Sequence, residues 1–158
     1  MLRTATLAAA MLLAVPAFAA DIVGRASVVD GDTIDIHGTR IRFDGIDAPE
    51  SRQICLDGNG WKYRCGQVSA NALDAFLSAS QPIACQPTGR NYDRVVAICW
   101  RADGADVNSW LVRNGLAIDW PRYSKGRYRA EQSQAKANRL GIWAGRFEMP
   151  CQVRRAKC

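Results

Sequence analysis

The chain has 158 residues, 21 Lys and Arg against 15 Asp and Glu, and a pI near 9.2. That length bounds it to one domain with a core of its own, and the positive balance suits an encounter with a polyanion. A single histidine, His37, excludes paired-histidine hydrolysis, a His-rich metal centre and a Ser-His-Asp triad, and no P-loop or dinucleotide fingerprint offers another chemistry. Hydrolysis by this chain therefore has to run on carboxylates, arginines and a metal.

The N-terminal segment Met1 to Ala19 reads as a secretory signal. Arg3 precedes an apolar run from Leu7 to Val15, and Ala17-Phe18-Ala19 forms a cleavage site. The run is too short to span a membrane, and no other stretch approaches one. The expected location is the periplasm or the medium.

Ile22 to Val29 predicts a first strand. Asp30-Gly31-Asp32-Thr33 then opens a run in which Ile34 and Ile36 share a face, His37-Gly38-Thr39 makes a turn, and Ile41 and Phe43 alternate with Arg40, Arg42 and Asp44. Alternation on both sides of a Gly-bearing turn predicts a β-hairpin. Parity puts Asp32 on the track of Ile34 and Ile36, and Asp47 on the track of Ile41 and Phe43. The two carboxylates become near-diagonal neighbours across the hairpin, ~7–8 Å apart or closer. Such a pair repels itself and loses water, and a hard cation between them relieves both costs. A lone DGD favours a polar hairpin with acidic turns; the second cluster in register shifts the balance to the cation site. Glu50 follows three residues after Asp47, with Pro49 stiffening the segment between. His37 belongs to the turn and reads as a surface residue.

The mature chain carries all six cysteines, at 55, 65, 85, 99, 151 and 158. An even count in an exported chain reads as disulfides, although the count alone leaves the connectivity open. Locality favours 55–65 around LDGNGWKYR, 85–99 across a hairpin, and 151–158 closing the tail. There is no C-x-x-C to support zinc. Asp57 to Gly60, DGNG, resembles a fragment of a Ca²⁺ loop but lacks the remaining ligands, so it reads as a turn.

Helices are predicted over Gln67 to Ala79, Val107 to Asn114 behind an Asp106 cap, and Tyr128 to Leu140. Strands are predicted over Pro82 to Gln86 and Val95 to Trp100. Arg122, Lys125, Arg127 and Arg129 cluster before the last helix, and Arg146, Arg154, Arg155 and Lys157 mark the tail. These read as a solvated basic face or as a polyanion surface. Tyr92, Trp120 and Tyr123 lie near cations and suit stacking on bases; a place in the core or rim fits them as well. Five strands with a helix between the third and fourth predict an α+β, β-rich fold: an OB-like five-stranded barrel with three helices.

DGDT, RFDGIDAPE, NYDR before an apolar strand, LVRNGLA and LGIW occur in the order and spacing of the thermonuclease, or staphylococcal-nuclease-like, family. The resemblance runs from about Ile22 to Phe147. It implies that Asp32 and Asp47 are Ca²⁺ carboxylates and that the backbone carbonyl of Ala48 completes the metal site. It also implies that Glu50 holds or activates the attacking water, and that Arg42 and Arg94 bind phosphate. Tyr92 and Tyr123 are the candidate substrate-binding aromatics. Asp93 departs from the family pattern, where Gly commonly precedes the second arginine. The implied activity is Ca²⁺-dependent cleavage of DNA and RNA at the 5′-oxygen, leaving 3′-phosphate ends, with little base specificity. Single strands are the expected preferred substrate, and the expected assembly is a monomer. Two other readings stay open: a non-catalytic nucleic-acid-binding module on the same barrel, and an envelope protein that keeps only the Ca²⁺ site.

Overall fold

The computed structural model describes residues 21–156 and 158. The signal reading of Met1 to Ala19 lies outside the described residues, as does Lys157.

The described residues form ten strands and five α-helices. Strands β1 (Ile22–Gly24), β2 (Ala26–Asp30), β3 (Thr33–Ile36) and β4 (Thr39–Phe43) come first, followed by β5 (Ile46–Asp47), β6 (Ile54–Leu56) and β7 (Lys62–Arg64). Helix α1 (Cys65–Ser78) precedes β8 (Ile83–Asn91) and β9 (Arg94–Trp100). The rest comprises α2 (Val107–Arg113), β10 (Ile118–Asp119), α3 (Pro121–Ser124), α4 (Arg129–Ala137), a 3-10 turn at Gly141–Ala144, and α5 (Pro150–Val153).

The main sheet has six strands in the order β1-β8-β9-β4-β3-β2. Its neighbours are antiparallel except for β4 and β9, which run parallel. The α+β, OB-like class holds, but β1 and β2 are unpaired edges, so the barrel is not closed. The expected single strand Ile22 to Val29 breaks at Arg25. One half pairs with β8 and the other with β3, so one segment supplies both edges. Gly24, just before the break, lets the end of the β3–β4 hairpin pack close: a Cβ there would lie 2.7 Å from the Ile36 Cγ2 and 2.9 Å from the His37 Nε2.

The predicted hairpin is β3 and β4, in the register Ile34↔Ile41 and Thr33↔Arg42. Its loop is His37-Gly38, with φ of 54° and 82°, the positive pair that a two-residue turn between twisted strands requires. His37 is exposed there, as expected. Ile34, Ile36, Ile41 and Phe43 enter the core with Leu73 and Leu77 of α1, Ile83, Ala97, and Val107 and Leu111 of α2. Asp106 caps α2 by accepting the Ser109 N–H at 2.8 Å.

All three disulfides form as locality suggested: Cys55–Cys65, Cys85–Cys99 and Cys151–Cys158. Cys85 and Cys99 are directly opposed on β8 and β9. Asp57 is a turn residue, its Oδ1 accepting from the backbone of Asn59 and Trp61 at 2.9 Å. The predicted three helices are α1, α2 and α4. The additional α3 and α5 are single turns of 4 residues, too short to carry a helical period. Among the described residues, no helix is long and apolar enough to cross a membrane.

Candidate active site

Strand β4 carries Arg42 opposite Thr33, so its side chain points away from the face of Ile41 and Phe43. The chain then turns at Asp44-Gly45, where Gly45 has φ 74°. Beyond the turn, Ile46 and Asp47 form β5, which pairs with β10 through Ile118↔Asp47. This turn defeats the parity reading. Asp47 is not on the track of Ile41 and Phe43, because it belongs to another strand, and Asp32 lies one residue before β3 begins. Arg42, which parity aimed away from Asp47, reaches both carboxylates. Its Nη1 donates to Asp32 Oδ1 at 2.9 Å and its Nη2 to Asp47 Oδ1 at 2.8 Å. The charge joining the two acids here is a guanidinium.

The acids are deeply held. Asp47 is fully buried and Asp32 nearly so. Asp32 accepts the Ala48 N–H at 3.2 Å and the Thr33 hydroxyl at 3.0 Å, while its own N–H donates to Asp30 Oδ1 at 3.0 Å. Burial pushes the Asp32 carboxyl up to about 7 against the lowering pull of Arg42, and Asp30 and Asp47 add to the rise. An ionised Asp32 therefore calls for more positive charge than Arg42 supplies.

Glu50 sits on the loop after β5. The loop is tied twice to Gln53, whose Oε1 accepts the Glu50 N–H at 3.1 Å and whose N–H donates to the Glu50 carbonyl at 2.7 Å. Gln53 Nε2 donates onward to the Glu148 carbonyl at 2.7 Å, joining this loop to the start of the tail. Gly66 in the first turn of α1 lets the loop approach, since a Cβ there would lie 1.8 Å from the Glu50 carbonyl oxygen.

The Glu50 carboxylate does not stand free. Arg154, just past α5, donates one Nη to Glu50 Oε1 and the other to Asp47 Oδ2, the latter at 2.9 Å. Its Cζ lies 5.6 Å from the centre of the Trp120 ring. Burial acts to lower the Arg154 pKa, but its hydrogen bonds to Asp47 and Glu50 outweigh it and raise the guanidinium above its usual value. In the sequence Arg154 is one of several tail cations. Nothing in the spacing signals it, because 107 residues separate it from Asp47.

Arg94 begins β9 beside β4 and lines the same cavity as Asp32, Arg42, Glu50 and Arg154, a space of about 300 Å³. Among the described residues Arg94 has no ion pair, with Asp93 or any other acid. Tyr92, at φ 55° and 94% exposed, stands at the mouth. A second cavity of about 750 Å³ adjoins the first; Tyr92, Trp120 and Tyr123 line it with Arg90 and Thr88. Tyr123 is half exposed and packs edge-on against Trp120, with ring centres 4.6 Å apart. The structure thus brings Asp32, Arg42, Ala48, Glu50, Tyr92 and Arg94 to one cavity and leaves Tyr123 to its neighbour.

Among the described residues, no three His, Cys, Asp or Glu side chains converge to hold an ion. Asp32 and Asp47 are the carboxylates that would hold a cation here, with the rest of its shell left to backbone oxygen and water. The donor set fits a hard divalent ion: it is all oxygen, and two guanidiniums already hold positive charge against it.

Residues 40–145 match the family described as Staphylococcal nuclease homologue. The chain is 51% identical to "Succinoglycan biosynthesis protein ExoI" of Rhizobium meliloti, over 92% of this chain and 78% of that protein. It is 28% identical to an "Uncharacterized endonuclease" of Escherichia coli, over 85% of this chain and 86% of the relative. It is 29% identical to "Micrococcal nuclease" of Shigella flexneri, over 98% of this chain and 92% of the relative.

Proposed function

The chain belongs to the staphylococcal nuclease homologue family, and on that premise we propose that it is a Ca²⁺-dependent endonuclease acting on single-stranded DNA and on RNA. Nuclease activity in general is supported by the family match and by relatives named endonuclease and micrococcal nuclease. The observation that carries the finer reading is that Asp32, Glu50, Arg42 and Arg94 line one cavity, with the buried Asp47 bonded to Arg42 and Arg154.

Asp32, Asp47 and the Ala48 carbonyl are the residues that would hold Ca²⁺. When bound, the ion supplies Lewis-acid polarisation of a phosphate oxygen and neutralises its charge. Glu50 has the carboxylate placed to orient the attacking water and take its proton. Arg42 presents a planar fork that matches two phosphate oxygens. Arg94, without an acidic partner among the described residues, has its whole donor set available to the same phosphate. Such contacts strengthen as the five-coordinate transition state gains charge. Tyr92 and Tyr123 offer aromatic faces on which bases stack without regard to sequence. The disulfides and the signal-like N-terminus support action outside the cytoplasm.

The name of one relative favours a second reading, a Ca²⁺-binding protein of polysaccharide biosynthesis without nuclease chemistry. One assay separates the two. Purified protein is incubated with labelled single-stranded DNA, with Ca²⁺ or with chelator. Cleavage that needs Ca²⁺ and disappears in Glu50→Gln supports the nuclease. Intact DNA at every Ca²⁺ concentration overturns it.

A further inference from the structure

We propose that Arg154 is a third substrate-binding arginine of this site, carried into it by the disulfide-closed tail; the proposal rests on the nuclease reading and extends it. The contacts of Arg42 and Arg154 are near mirror images. Arg42 bridges Asp32 and Asp47 through Asp47 Oδ1, and Arg154 bridges Asp47 and Glu50 through Asp47 Oδ2. The fully buried Asp47 therefore spends both oxygens on two guanidiniums. Whatever displaces Arg42 from Asp47 toward a phosphate displaces Arg154 on the same terms.

Arg154 has donors to spare. A guanidinium offers five N–H groups; among the described residues, that of Arg154 donates only to Glu50 and Asp47. Its side chain remains 26% exposed and lines the cavity with Arg42 and Arg94 rather than filling it. A plug that closed the site would leave no such space. Trp120 lies against the guanidinium, a flat surface that favours one orientation of the fork. The tail is fixed on both sides of Arg154. Cys151 is buried and bonded to Cys158, and Gln53 ties Glu148 to the Glu50 loop. An arginine on an unfixed tail would lose affinity to chain entropy, and the staple reduces that loss.

The test is the salt dependence of binding to a labelled phosphorothioate single-stranded oligonucleotide, which keeps one negative charge per linkage. It is read by fluorescence anisotropy from low to moderate salt, with Ca²⁺ present. Each phosphate contact contributes about 0.7 to the slope of log affinity against log salt for a single strand. Arg154→Ala is expected to reduce the slope by about that amount and to weaken binding several-fold, while Arg154→Lys keeps most of the slope. Arg113→Ala, an exposed arginine on α2 outside the cavity, should match wild type. The double variant Cys151→Ser, Cys158→Ser should move toward Arg154→Ala. An unchanged slope in Arg154→Ala overturns the proposal. So does tighter binding or faster cleavage in that variant, which would make the tail an inhibitory plug. A wild-type slope in the double variant overturns the role given to the staple. The two readings fail separately: an inert wild type whose slope still depends on Arg154 sinks the nuclease alone, and a cleaving wild type whose slope ignores Arg154 sinks this inference alone.

Discussion

Two regions deliver an arginine to Asp47, and they hold it by different means. Arg42 stands on β4, between β3 and β9 in the six-stranded sheet, over a core of Ile34, Ile41 and Phe43. Arg154 stands just past a helix of 4 residues, inside a loop closed by a disulfide with a sequence separation of 7. The hairpin is held by ladder hydrogen bonds and apolar burial, so the backbone that carries its arginine is released only when the domain unfolds. The tail is held by a covalent clip, one buried proline and one buried cysteine, so its arginine can be released while the domain stays folded. Equal contact with a carboxylate thus does not imply equal dependence on the fold.

The largest effect expected from breaking this comparison is at Arg42. Arg42→Lys should lower the rate by ~10²–10³, nearly as much as Arg42→Ala, since lysine keeps the charge but not the fork. Single-turnover cleavage in saturating Ca²⁺ measures it; a lysine variant within a few-fold of wild type would remove the fork from the account.

The two disulfides sharpen the contrast. Replacing both Cys85 and Cys99 with serine should cost about 3 kcal/mol of global stability, because that bond clips two core strands. Replacing Cys151 and Cys158 should leave the global melt nearly unchanged. Denaturant unfolding of both double variants checks this, and equal losses would mean that the tail is part of the cooperative core.

An electrostatic effect is expected as well. Burial raises the folded-state pKa of Asp32 to about 7 from an ordinary value of 3.8. Between those values the folded protein holds a proton that the unfolded chain releases. In chelator, Asp32 should therefore make the protein less stable as pH rises from about 4 toward 7, with the penalty complete above the folded pKa. Asp32→Asn should flatten that fall in melting temperature. A wild type that gains stability over this range relative to Asp32→Asn would reverse the sign.

The legible parts of the sequence were those with a local period or a local pairing. Alternation gave the β3–β4 hairpin, and Gly38 marked its turn. Asp106 announced α2. Close spacing paired the cysteines, since a short loop closes at little entropic cost. Parity failed at Asp47 because a turn at Gly45 moves the chain to another strand, and alternation carries no information across a turn. The single first strand fails for a similar reason: its two halves pair with different strands, β8 and β3, and a periodic pattern does not reveal a change of partner. The OB-like class holds all the same, with the sheet left open because one segment supplies two edges. Arg154 was illegible for a third reason. Its partners lie about a hundred residues away, and a tail arginine among other tail arginines has no pattern to set it apart.

The claim most central to the account is that Asp32 and Asp47 accept a divalent cation where guanidiniums now lie. Isothermal titration of Ca²⁺ into the wild type, Asp32→Ala and Asp47→Ala tests it directly, with melting temperature measured on the same samples. The account predicts one ion bound per wild-type chain, none by either variant, and a wild-type melt raised as linkage requires, ~2.7 kcal/mol at a hundredfold excess over Kd. A wild type that takes up no heat and melts at the same temperature in millimolar Ca²⁺ and in chelator would contradict it.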